Sequence, residues 1–157
     1  VHMKKFFFFF FFSLFILKSN LSFSELVEGK WVFTKDNDYC YIGSLPTLLD
    51  VPEGKQRGDA YILVYRINKN PEAIVQINAG YPYKDSEPVI VNIDKMSYEF
   101  YSQDDSAWTD SDSKIIYAMK KGIDLIVTGV SSRGTKTVDE YTLKGFTDAY
   151  NKLTDDC

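Results

Sequence analysis

From about residue 30 onward, apolar and polar residues alternate with a period of two along most of the chain, broken by short clusters of Asp, Asn, Gly and Pro. That is the pattern of half-buried strands joined by tight turns. Trp31–Lys35 and Tyr39–Ser44 flank Asp36, Asn37 and Asp38, which supply hairpin turn chemistry. Asp59–Asn68 and Ala73–Ala79 are joined through Asn70 and Pro71; the first is apolar on both faces up to Arg66, so a central strand is expected. Val89–Ile93 and Tyr98–Ser102 turn at Asp94 and Lys95. Ile123–Ser131 and Thr135–Leu143 turn through Ser132, Arg133 and Gly134.

Two stretches switch to a helical period. Ser113–Lys121 places Ile115, Ile116 and Met119 on one face, with Asp110 or Asp112 as cap and Gly122 as stop. Phe146, Ala149, Tyr150 and Leu153 form a second stripe. The expected fold is mostly β, an antiparallel β-sandwich of about eight strands with two short helices, one of them C-terminal.

Three connections stand outside this pattern. Leu45–Gly58 holds two prolines and two glycines and is long for a loop in a compact domain, so a functional or mobile role is expected. Its Leu48, Leu49 and Val51 are read as a small satellite of the core. Gly80–Glu87 carries Tyr81, Pro82, Tyr83 and Lys84, where two rings on a proline-stiffened loop either cap the sandwich or present a ligand surface. Gln103–Ser113 is polar and acidic around Ala107 and Trp108.

The N-terminal end departs from all of this. Lys4 and Lys5 precede Phe6–Leu17, which is apolar apart from Ser13, and Ser22 and Ser24 stand in the small-x-small arrangement of a cleavage site. This reads as a secretory signal peptide over residues 1–24, cut after Ser24, with residues 25–157 as a single β-sandwich domain. A membrane span would need about 20 apolar residues, and Lys18 interrupts the run too early.

Without the leader, 15 Lys+Arg face 22 Asp+Glu, a net charge of −7. An acidic domain argues against nucleic acid and anionic membrane surfaces as partners. Cys40 and Cys157 are its two cysteines. In a chain expected to be periplasmic or secreted, a Cys40–Cys157 disulfide is the first reading, with free thiols or an intermolecular bridge as alternatives.

Candidate chemistry is narrow. The one histidine, His2, lies within residues 1–24, which removes His-dependent triads, imidazole bases and His-ligated zinc from the domain. Ser111–Lys114 matches an S-x-x-K string without its companion motifs and reads as a helix start. Asp104, Asp105, Asp110 and Asp112 lack the spacing of a calcium loop and read as a solvated acidic segment. Arg57-Gly58-Asp59 spells an integrin-type tripeptide but runs straight into a strand, so a strand-entry turn is expected. No catalytic residue, cofactor or metal is expected. Tyr81, Tyr83, Lys84 and Trp108 are the candidate ligand or partner surface, the partner being a protein or an envelope ligand of unknown identity.

Several segments together resemble a known family. Asn78–Lys84, Ala107-Trp108, Ala118–Gly122, Gly129 with Ser131–Thr135, and Tyr141–Thr147 are similar in order and spacing to the invasion-associated locus B family of exported α-proteobacterial proteins. The likeness takes in Trp31, Cys40, the approach from Arg57 to Asp59, and Cys157. It implies a periplasmic or secreted β-sandwich-like domain, associated in some pathogens with host-cell invasion, and no defined catalytic residue. Better-known members carry extra cysteines near the first strand and in the acidic segment, so this chain resembles a cysteine-poor branch. The resulting expectation is a non-enzymatic binding or envelope component; a carboxylate-dependent hydrolase and a subunit of a larger envelope assembly are the alternatives.

Overall fold

The computed structural model of the chain describes residues 26–67 and 70–157, so the expected leader lies outside the described residues. The elements run β1 (Val32–Lys35), β2 (Tyr39–Ser44), β3 (Tyr61–Ile67), β4 (Ile74–Asn78), β5 (Val89–Ile93), β6 (Met96–Gln103), β7 (Ser106–Trp108), α1 (Asp112–Lys121), β8 (Asp124–Val130), β9 (Lys136–Thr142) and α2 (Phe146–Asp155). The nine strands form one antiparallel sheet of order β1-β2-β3-β4-β7-β6-β5-β8-β9. The mostly β fold with a C-terminal helix is therefore as the alternation implied, and β3 is central. The strand beyond the expected eight is β7, in a segment read as an acidic loop. Asp104, with φ 54°, and Asp105 form a two-residue turn between β6 and β7. Three residues are too few for a period of two to register.

The sheet folds over because β6 serves both halves. Its first part, Met96–Phe100, pairs with β5, and Tyr101–Gln103 pair with β7. Ile42, Ile62, Val64, Val75 and Ile77 of one half then face Val89, Val91, Leu125, Val127 and Tyr141 of the other in a single core. Each such side chain contributes roughly 1.5–3 kcal/mol on burial.

The helices close the core's open sides. In α1, Ile115, Ile116 and Met119 are buried, as their spacing requires. Its cap differs from expectation: Ser111 holds the N-cap position without a side-chain bond, while Asp112 accepts from the Val75 N–H at 2.9 Å and ties the helix to β4. Gly122 ends α1 with an extended φ of −81°, and a Cβ there would run into Ile93 and Leu143, so close packing demands the glycine. In α2, Phe146, Ala149 and Leu153 are buried and Tyr150 is half-buried. Trp31 meets Phe146 edge to face at 4.9 Å and donates from Nε1 to the Thr142 carbonyl at 2.9 Å.

A disulfide joins Cys157, just past α2, to Cys40 on β2, closing a sequence separation of 117 residues. A loop of that length restricts the unfolded chain by about 4–5 kcal/mol in the entropy account. Cys40→Ala with Cys157→Ala is therefore expected to lower the unfolding free energy by about 4–5 kcal/mol in urea titration. A change under about 1 kcal/mol would show that α2 is held by packing alone.

Candidate functional site

The long connection between β2 and β3 is a wall rather than a mobile loop. Along β9, the Thr47 N–H donates to the Glu140 carbonyl at 2.8 Å and the Glu140 N–H returns a bond to Leu48 at 3.0 Å. The connection thus covers the free edge of the sheet with backbone hydrogen bonds. Its Leu48, Leu49 and Val51, expected as a core satellite, are instead exposed, because the edge contact is made by main chain and turns these side chains outward.

Arg57 fixes this wall. Its guanidinium and the Asp139 carboxylate on β9 form a two-pronged pair, Nη1 to Oδ1 at 2.7 Å and Nη2 to Oδ2 at 2.5 Å, with side chains only 3% and 4% exposed. Nη1 also donates to the Asp50 carbonyl at 2.6 Å and Nε to the Ala79 carbonyl at 2.8 Å. Four of the five arginine N–H groups are thereby committed. Burial disfavours the charge on Arg57, but the hydrogen bonds and negative charge of Asp139 outweigh it and raise its pKa above the ordinary arginine value. Asp139 further accepts from the Asp50 N–H at 3.0 Å, and the Asp50 carboxylate accepts from the Val138 N–H at 2.8 Å. Two loops and a strand are cross-braced through one ion pair.

A tyrosine cluster packs beside the pair. Arg57 lies 5.0 Å from the centre of the Tyr81 ring, Tyr81 meets Tyr83 edge to face at 5.4 Å, and the Tyr81 and Thr137 hydroxyls are 2.6 Å apart. Gly129 makes room for this, since a Cβ there would strike Tyr81 and Tyr83. The Tyr83 and Tyr141 hydroxyls are buried without a hydrogen-bond partner among the described residues. Burial pushes both far above the ordinary tyrosine pKa, so both stay neutral.

Above the cluster opens a cleft of about 580 Å³, within the range of small-ligand sites. Its three walls are the Pro52–Arg57 turn, the Gly80–Pro82 turn and the tip of the β8–β9 hairpin. They are sewn together by Gly58 N–H to Gly80 carbonyl at 2.9 Å, Ser132 N–H to Pro82 carbonyl at 2.8 Å, and Lys84 N–H to Val130 carbonyl at 2.9 Å. Gly80 has φ +74° and lies against the Gly58 main chain, a position where any Cβ would clash. The lining holds Lys55, Arg57 and Arg133, several Ser and Thr hydroxyls, and no carboxylate.

The four residues expected to share a surface have different surroundings, although the Tyr81 and Tyr83 rings touch. Tyr81 lines the cleft and is half-buried; Tyr83 is 4% exposed and belongs to the core. Lys84 is exposed and pairs with Glu87 at 3.6 Å, and Trp108 packs edge to face against Tyr65 on β3 at 6.4 Å. The acidic residues are parted as well, Asp104 and Asp105 in a turn and Asp112 bound to β4. No group of three or more acidic, Cys or His side chains is placed to hold a metal among the described residues. Arg57 and Asp139 were missed as a pair: they are 82 residues apart, and Asp139 alternates with Val138 and Glu140 like any strand acid.

The family model described as "Invasion associated locus B (IalB) protein" matches residues 34–154. The chain belongs to the invasion-associated locus B family. A crystal structure of invasion associated protein b from Bartonella henselae has the same fold, with TM-score 0.53 and 14% identity over 78% of this chain and 95% of that one. No curated protein matches the sequence. Within the family fold, two segments on which the sequence resemblance rests, 78–84 and 131–135, supply two of the three cleft walls.

Arg57→Met leaves the Asp139 charge buried and unpaired, and is expected to cost about 3–5 kcal/mol of stability by urea titration. Arg57→Met with Asp139→Leu should cost less than the two single changes added, because neither charge is stranded. Strict additivity would mean the two groups act independently. Tyr81→Phe should lose about 1 kcal/mol with its Thr137 bond, whereas Tyr83→Phe should lose nothing, since its hydroxyl has no partner to forfeit. Equal losses from both would refute that difference.

Proposed function

We propose that the protein is exported, loses residues 1–24, and acts in the periplasm or outside the cell as a non-enzymatic binding or envelope component whose ligand or partner enters the cleft. The observation that carries the reading is the bracing of that cleft. Three turns from distant parts of the chain are held by a buried ion pair and cross-wall backbone bonds, so the cavity is preformed and little ordering entropy opposes occupancy. Export is supported by the basic and apolar N-terminal run and by the Cys40–Cys157 bridge, which persists in oxidising compartments. Among the described residues no helix is long and apolar enough to cross a membrane.

Leu48, Leu49 and Val51 of the β2–β3 connection and Val138 of β9 are exposed and offer apolar area for a protein partner.

N-terminal sequencing of the exported protein should begin at or near Glu25; retention of Met3 overturns the cleavage after Ser24. Immobilised protein should retain a component of envelope extract that a cleft-filling Ser132→Trp variant does not. Equal retention by both would place the binding surface elsewhere.

A further inference from the structure

The cleft's charge is opposite to that of the domain around it. Residues 25–157 carry a net charge of −7, yet the cleft lining holds three cations and no carboxylate. Arg57 is neutralised by Asp139, but Lys55 and Arg133 are exposed and neither has a carboxylate within 4 Å among the described residues. Two unpaired cations lining one cavity in an acidic protein concentrate positive potential there and select an anion.

The rest of the lining says what kind of anion. Ser131, Ser132 and Thr135 stand on one wall, and the Ser131 oxygen already accepts from the Thr135 N–H at 3.1 Å, which leaves its own proton to donate outward. The same lining holds Pro82 and Tyr81, bonded to the hairpin at Ser132 and Thr137, and Pro52 on the β2–β3 connection, which add apolar area beside the hydroxyls. Hydroxyl groups, a tyrosine with two prolines, and free cations in one lining match a ligand that is polyhydroxylated, ring-shaped and carboxylated. Resting on the binding reading above, we propose that the cleft takes a carboxylated saccharide, with Lys55 and Arg133 holding its carboxylates and the Tyr81-Pro82 turn beside a sugar ring.

The test is titration of the ¹⁵N-labelled protein with trigalacturonate, followed by amide shifts, beside neutral maltotriose and hexaglutamate. Trigalacturonate should move the amides of the Pro52–Arg57, Gly80–Pro82 and Ser131–Thr135 walls, with affinity falling steeply as salt rises. Lys55→Glu with Arg133→Glu should weaken binding by about tenfold or more, while Lys95→Glu at the β5–β6 turn leaves it unchanged. Both variants change exposed side chains, and retained spectral dispersion confirms that each is folded.

Equal binding of maltotriose would overturn the charge inference and leave the binding reading standing. Stronger binding of hexaglutamate would replace the saccharide with an acidic peptide. No shift with trigalacturonate, or unchanged affinity in the double variant, overturns the proposal, while capture with Ser132→Trp decides the binding reading separately.

Discussion

The Arg57–Asp139 pair is the constraint on which the rest of this structure depends. A guanidinium and a carboxylate with side chains 3% and 4% exposed are costly to desolvate. The cost is offset because four of the five arginine N–H groups find an oxygen, two on Asp139 and two on the Asp50 and Ala79 carbonyls, and because Asp139 also accepts from the Asp50 N–H. Well-packed apolar residues in place of a buried ion pair often leave stability little changed. They would not fix the position of the Pro52–Arg57 turn relative to β9 and the end of β4. The pair therefore specifies a geometry more than it supplies energy, and the geometry it specifies is that of the cleft.

Much of the fold could be read from the residues because it is written locally. The stripe Phe146, Ala149, Leu153 and the hairpin from Asp124 to Thr142 depend on periodicity and turn chemistry within a few positions. What could not be read is what depends on long-range placement. Arg57 sat in a tripeptide suggestive of adhesion and was expected to be a simple strand entry; its role appears only once β9 is folded beside it. Tyr81 and Tyr83, two residues apart on one loop, were open to either surface or core, and the structure divides them, one lining the cleft and one beneath it. Trp108, expected on the same surface, lies on the short strand β7 and packs against Tyr65 instead. Leu48, Leu49 and Val51 gave the opposite lesson, apolar residues turned outward because backbone bonding to β9 takes precedence over side-chain burial.

The division of labour across the molecule is plain from this arrangement. The C-terminal helix and its disulfide close the core around Trp31 and Phe146 and carry no cleft residue. On the cleft side, glycines are placed where main chains or rings approach closely: Gly80 against Gly58, and Gly129 beneath Tyr81 and Tyr83. Residues 25–157 sum to −7, yet the cleft lining carries Lys55, Arg57 and Arg133, so an anion meets positive charge at that recess.

The most direct test of this account is amide hydrogen exchange across the cleft walls in the unmodified protein. If the ion pair fixes the β2–β3 connection, the amides of Asp50 and Gly58, bonded to Asp139 and Gly80, will be protected as strongly as that of Glu140 on β9. Exchange of Asp50 and Gly58 at the rate of an exposed, unstructured peptide while Glu140 stays protected would contradict it.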